Sequence, residues 1–118
     1  MLSIVPSKDI ETIAIEVEGR ASKADIEKLD HVIRDKVSEK GHFNMYAIIY
    51  KVEDSTLFDA ADGAVIDRHS WSQARKFAVI SERDWTSAAS GWQGFADGLE
   101  TRHFKLDEMN DAWEWMQE

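Results

Sequence analysis

The sequence predicts a single α/β domain over residues 1–118, built on a mixed, mostly parallel sheet of four or five strands with helices mainly on one face. Two observations predict this class. Segments with the periods of strands and of helices alternate along the whole chain, which favours parallel strands joined by helical crossovers. The 118 residues, of which 43% are hydrophobic and 31% charged, also suit one ordinary globular core.

Two strands are predicted at the start of the chain. Residues 2–5 are a short apolar segment, and Pro6 beside them favours the edge of a sheet because proline cannot donate to a central ladder. In residues 10–17, isoleucine and valine alternate with smaller or polar residues. That two-residue period is typical of a strand with one wetter face.

A long amphipathic helix is predicted over residues 22–40. Ser22 is a suitable N-cap, and Asp25 three residues later gives a weak capping box. Gly41 follows at a position where glycine commonly ends a helix. The apolar residues recur at spacings of three and four, which places them on one face: Ile26, Leu29, Ile33 and Val37.

The middle of the chain repeats this alternation. Residues 45–52 are a nearly continuous apolar run, as expected for a strand buried on both faces. A second helix is predicted within residues 57–69, although Gly63 weakens it by about 1 kcal/mol relative to alanine. Residues 76–81 then give another buried strand.

A third helix is predicted from Asp84, its N-cap, to Leu99. Gly91 and Gly94 lie inside it, so it should be loose or closely packed. One stripe of the helix carries its large apolar residues: Trp85, Ala88, Trp92, Phe95 and Leu99.

The chain closes with a short strand at residues 103–106 and a helix that Asp107 is predicted to cap. Trp115 follows Trp113 by two residues, about 200° around a helix, so it should point away from the core and could serve a dimer contact. The inward positions of this helix are Met109, Ala112, Trp113 and Met116.

Composition excludes several functions. With 14 basic and 23 acidic residues, the net charge of −9 argues against a nucleic-acid partner and against purely electrostatic docking on anionic lipid. The sequence has no cysteine, which excludes disulfides, Cys-ligated zinc and thiol catalysis. No apolar run is long enough to span a membrane, and residues 1–6 lack a secretory signal pattern, so we expect a cytoplasmic protein.

Three stretches together resemble one known family. They are the opening strand and helix up to Gly41, the buried strand at residues 75–81 with the Glu82-Arg83-Asp84-Trp85 that follows, and the ending at residues 102–116. In this order and spacing they resemble the SpoIIAA-like family, which shares the STAS fold and is grouped with CRAL-TRIO-type domains. The resemblance implies a small non-enzymatic domain. STAS relatives are switched by phosphorylation of a serine at the start of a helix, and CRAL-TRIO relatives hold lipids in an apolar cavity.

The first functional hypothesis is an apolar or lipid-like small molecule held between the sheet and the predicted helix at residues 84–99. An apolar helix face rich in tryptophan could line such a cavity or contact a bilayer surface. The same residues could instead be ordinary core. The candidate lining residues are Phe77, Val79, Trp85, Trp92 and Phe95.

The alternative hypothesis is a STAS-type protein-interaction module, with or without a phosphorylation switch. Ser55 and Thr56 follow the second long strand, where a phosphate would meet the N-terminus of a helix. The usual switch motif continues with glycine, whereas Leu57 follows here, and nearby acids would repel a phosphate. Ser55 or Thr56 could equally be an ordinary N-cap.

No catalytic residue, metal site or cofactor is predicted. The four histidines have no metal-ligand spacing, no G-x-S-x-G motif occurs, and no glycine-rich phosphate loop follows a strand. The oligomeric state is left open.

Overall fold

The computed structural model describes residues 2–18, 22–50, 66–82 and 98–118. Within these ranges the chain forms five strands, three α-helices and one 3-10 turn. In chain order they are β1 Leu2–Val5, β2 Thr12–Glu18, α1 Lys23–Lys40, β3 Phe43–Tyr50, α2 Arg68–Trp71, β4 Ala74–Ile80, β5 Glu100–Phe104, the 3-10 turn Leu106–Glu108 and α3 Met109–Met116.

The five strands make one sheet in the order β1-β2-β3-β4-β5. β1 is antiparallel to β2, and each later pair is parallel. This arrangement confirms the predicted class, a mixed and mostly parallel sheet. The register aligns one row of side chains across four strands: Ile13, Met45, Phe77 and Thr101.

The two faces of the sheet bury separate apolar clusters. α1 and Trp71 of α2 pack on the face that carries Met45 and Phe77, and we call it the α1 face. α3 packs on the opposite face, where Trp113 stacks on Tyr46 with ring centroids 4.2 Å apart. Burial raises the pKa of the Tyr46 phenol above its ordinary value, so this ring packs in its neutral form. β3 contributes to both clusters, which confirms that it is buried on both faces.

The ends of α1 agree with its predicted caps. The Ser22 hydroxyl accepts from the Asp25 N–H at 3.1 Å, and the Asp25 carboxylate accepts from the Ser22 N–H at 3.0 Å. The same carboxylate accepts from the Leu2 N–H at 3.3 Å, so it also ties β1 to the helix. At the other end Gly41 adopts a left-handed φ of 81° and its N–H donates to the Val37 carbonyl.

Asp25→Ala should lower the free energy of unfolding by about 1 kcal/mol at pH 7, because it removes half of a capping box. The Ser22 N–H is the main cause that lowers the pKa of Asp25 in the folded chain. The stabilisation is therefore present above the unfolded pKa and is lost as pH falls through the lower folded pKa. Urea unfolding of both proteins from pH 7 to pH 3 measures it. A difference that stays constant or grows as the pH falls would contradict this role.

Several predicted boundaries are displaced. Ile10 lies in a turn closed by the Thr12 N–H on the Asp9 carbonyl, so β2 begins only at Thr12. β3 and β4 each begin two residues earlier than predicted, because Phe43 already pairs with Ala74 and Asn44 with Thr12. β5 ends at Phe104 and begins at Glu100, three residues before its prediction. Most of the predicted helix at residues 57–69 lies outside the described residues, and at its described end Ile66 and Asp67 are not helical because α2 begins only at Arg68. The predicted helix from Asp84 to Leu99 is described only at its last two residues, which are not helical: Gly98 has a left-handed φ of 80°.

Two predictions about the last helix were wrong. Asp107 does not cap it, because the Lys105 N–H donates to the Glu108 carboxylate at 2.9 Å and closes a 3-10 turn before α3 begins at Met109. Trp115 is not exposed: only 8% of it is accessible. Its indole lies on the side of α3 that faces β5, and its ring centroid is 5.9 Å from that of Phe104. A dimer contact through a free Trp115 surface has no support.

Candidate functional site

Two of the predicted lining residues lie together on the sheet. Phe77 and Val79 are alternate residues of β4, both point to the α1 face, and both are fully buried in its cluster. The other three predicted lining residues, Trp85, Trp92 and Phe95, lie outside the described residues.

The neighbouring strand gives this apolar pair a polar border. Thr101 of β5 is in register with Phe77, and His103 is in register with Val79. Because paired residues of parallel strands share a face, Thr101 and His103 border the apolar pair on the α1 face. We call these four residues the β4–β5 patch: Phe77, Val79, Thr101 and His103.

The two polar members of the patch differ in their hydrogen bonding. The Nε2 of His103 lies 3.0 Å from the Ser81 carbonyl, so that nitrogen carries the proton and donates to the end of β4. The Thr101 hydroxyl oxygen is buried and has no hydrogen-bond partner within the described ranges. An unpaired buried hydroxyl is unfavourable by about 1–3 kcal/mol, so it is a natural contact point for a polar atom of a ligand.

The chain on either side of the patch approaches the same face. β4 and β5 are joined by residues 81–99, of which residues 81, 82, 98 and 99 are described. Leu99, which ends that connection, packs against the α1-face cluster, and so does Ile66 before α2. The described residues just before α2 and just before β5 therefore both lie on the face that carries Phe77 and Val79.

The second predicted site, Ser55 and Thr56, lies outside the described residues. The strand before it, β3, ends at Tyr50, whose side chain is 38% exposed. Ile48 of β3 pairs with Ile80 of β4, so the two strands end at the same edge of the sheet. Segments that follow the carboxyl ends of parallel strands commonly carry the ligand contacts of α/β sheets.

Other polar clusters serve the fold. Asp30 of α1 is buried, and one carboxylate oxygen accepts from the Asp67 N–H at 2.8 Å and from the Trp71 Nε1–H at 2.9 Å. The second oxygen lies 2.9 Å from Arg34 Nε as an ion pair without hydrogen-bond alignment. These contacts hold α2 against α1.

Within residues 2–18, 22–50, 66–82 and 98–118, no three histidine or carboxylate side chains are grouped so that they could hold a metal ion. In the same ranges no helix has the length and apolar character to cross a membrane.

Sequence reasoning missed Thr101 and His103. A lone threonine and a lone histidine in a short strand give no local signal. Their place beside Phe77 and Val79 depends on the register between β4 and β5, which the order of residues alone does not specify.

Comparison with known families gives one match. The model of a family described as SpoIIAA-like matches residues 12–117, from the start of β2 to the residue after α3. Comparisons with curated proteins and with solved structures gave no match.

Proposed function

Because the chain belongs to the SpoIIAA-like family and buries an apolar pair beside an unpaired hydroxyl, we propose that it binds an apolar or amphipathic small molecule. The proposed site is the β4–β5 patch together with Trp85, Trp92 and Phe95, the other predicted lining residues. The protein acts as a non-enzymatic carrier or sensor of a lipid-like molecule. A domain of this family is also compatible with a regulatory or interaction module.

The buried Thr101 hydroxyl is the observation that supports this function best. A ligand packed beside Phe77 and Val79 would gain about 25 cal/mol for each Å² of its own apolar surface that leaves water. Apolar surface alone does not distinguish a ligand site from core. A neighbouring buried donor without a partner does favour a ligand, because a carboxyl, hydroxyl or ester oxygen of an amphipathic molecule would satisfy it.

Native mass spectrometry of freshly purified protein tests for a bound ligand directly. A discrete excess mass that disappears on denaturation is the expected result. Titration with cis-parinaric acid, an amphipathic probe, then locates the site. We expect Thr101→Val to weaken the binding of the probe about tenfold, because the lost hydrogen bond corresponds to about 1.4 kcal/mol of binding free energy. Its unfolding free energy should stay the same or rise, because the hydroxyl has no hydrogen-bond partner among the described residues. Trp92→Ala should also weaken binding.

Thr12→Val is the matched control, because the Thr12 hydroxyl donates to the Asp9 carboxylate at 2.6 Å. That variant should lose stability and keep the affinity for the probe. Equal affinity in wild type, Thr101→Val and Trp92→Ala would show that the site is wrongly placed. A clean apo spectrum together with no binding of the probe would contradict the function itself.

A protein-interaction module is the second candidate function, and the exposed Tyr50 favours it. Tyr50 is one of two large apolar side chains that are exposed in the described ranges, and it directly precedes the segment with Ser55 and Thr56. Exposed aromatic residues are common in protein interfaces. An apo monomer in the native spectrum would favour this function. Loss of a partner on Ser55→Asp or Thr56→Asp would then identify the surface.

A further inference from the structure

The outer edge of β5 presents free main-chain groups. In the part of the chain that the structure describes, β5 is the last strand of the sheet and pairs only with β4. The Phe104 carbonyl accepts from the Ser81 N–H, so the main-chain groups of Phe104, and of Arg102 two residues before it, point toward β4. Those of Thr101 and His103 therefore point outward. The next outward N–H, that of Lys105, is already bonded to the Glu108 carboxylate.

A cleft runs between this edge and α3. Its volume is about 230 Å³, and two aromatic side chains, Phe104 and Trp115, contribute to its lining. Lys76 fixes the end of the helix beside it, because its amine donates to the Trp115 carbonyl at 2.8 Å and to the Glu118 carbonyl at 3.0 Å. The remaining lining residues are charged or titratable: Arg102, His103, Glu108, Asp111, Glu114 and Glu118.

The charge of the cleft is unbalanced. Its four carboxylates face one arginine, since the His103 side chain is turned to the Ser81 carbonyl on the α1 face and the Lys76 amine is bonded to main-chain carbonyls at the end of α3. The carboxylates of Asp111, Glu114 and Glu118 have no ion-pair or hydrogen-bond partner among the described residues. Asp111 and Glu114 lie three residues apart on one side of α3, and Glu118 follows the end of the helix. The cleft therefore combines an open strand edge with a group of free negative charges, and the small exposed parts of Phe104 and Trp115 lie between them.

We propose that this edge binds an extended basic segment of a partner protein, which adds to the sheet as a strand beside β5. Strand addition supplies main-chain hydrogen bonds, and alternate side chains of the added strand face the same way. Lysine or arginine at positions i and i+2 would be spaced by roughly 6.6 Å. Asp111 and Glu114 lie roughly 4.5 Å apart along the axis of α3, and Glu118 lies beyond the end of the helix, so these three carboxylates can accommodate two such cations.

Charge also distinguishes this occupant from two others. A second copy of the chain would bring its own free carboxylates against these, in a protein whose net charge is −9. A nucleic acid would meet the same repulsion. A basic peptide has the opposite charge and the required extended backbone.

A synthetic nine-residue peptide of alternating lysine and valine, followed by fluorescence anisotropy, tests the proposal. We expect saturable binding that weakens with added salt. The double variant Asp111→Lys and Glu114→Lys should reduce the affinity at least tenfold. The control variant, Asp35→Lys and Glu39→Lys on exposed positions of α1, makes the same change in net charge and should bind much more tightly than the cleft variant.

The peptide itself provides a test that does not depend on how the variants fold. Methylation of alternate peptide nitrogens removes the N–H groups that a strand needs, and it should abolish binding. Equal binding of the methylated peptide, or equal loss in the cleft and control variants, would overturn the proposal. A peptide-free dimer that the cleft variant disrupts would also overturn it, because the occupant would then be a second copy.

Discussion

Asp30→Ala should lower the free energy of unfolding by about 3 kcal/mol. The substitution leaves the Asp67 N–H and the buried Trp71 Nε1–H without an acceptor, and each unpaired group costs about 1–3 kcal/mol. Arg34 loses its ion pair as well, but its side chain is 43% exposed, so water solvates it and the further cost is small. Urea denaturation, analysed with the same m value for wild type and variant, measures the change in the free energy of unfolding.

Two variants sharpen the Asp30 experiment. Asp30→Asn keeps an oxygen acceptor and removes the charge, so it should lose less than Asp30→Ala. Asp35→Ala removes an exposed carboxylate from the same helix and should change the stability by at most about 0.5 kcal/mol. If Asp30→Ala were no worse than Asp35→Ala, the contacts between Asp30 and α2 would not stabilise the fold.

Phe77→Ala should cost about 4 kcal/mol, because it empties a fully buried aromatic position at the centre of the α1-face cluster. Phe77→Leu keeps most of the volume and should cost about 1 kcal/mol. The free energy of unfolding of the two variants, measured by urea, gives the comparison. A loss below about 1.5 kcal/mol for Phe77→Ala would show that this side chain is not part of a tightly packed core.

Phe77→Leu also connects the core with the proposed ligand site. Because this variant is expected to fold, its affinity for cis-parinaric acid can be measured beside that of Thr101→Val. Weaker binding with near-normal stability is the expected result if Phe77 contacts the ligand.

Local interactions explain what the sequence predicted well. Ser22, Asp25 and Gly41 act within a few residues of the helix ends that they cap. Their pattern along the chain was therefore sufficient to predict both ends of α1. The apolar run in β3 likewise indicated burial on both faces without knowledge of its neighbours. These features depend on backbone geometry and on periodicity, and both can be recognised within a short stretch of sequence.

Contacts between distant segments explain what the sequence did not predict. Trp115 is two residues from an inward tryptophan, and only the position of β5 beside α3 gives its indole a place to pack. The prediction of Asp107 as a cap failed because Glu108 competes by bonding the Lys105 N–H. Thr101 and His103 were assigned to the candidate site only from the register between β4 and β5. The aromatic residues predicted for the helix at 84–99, and Ser55 and Thr56, remain proposals.

The order of the strands has a consequence for how the chain folds during synthesis. Each strand pairs with the strand that comes next along the chain, so the sheet order repeats the chain order. Every pairing then closes a loop of modest length, and short loop closures favour fast folding. The growing chain can add one strand at a time as it leaves the ribosome, without waiting for a distant segment to complete the centre of the sheet.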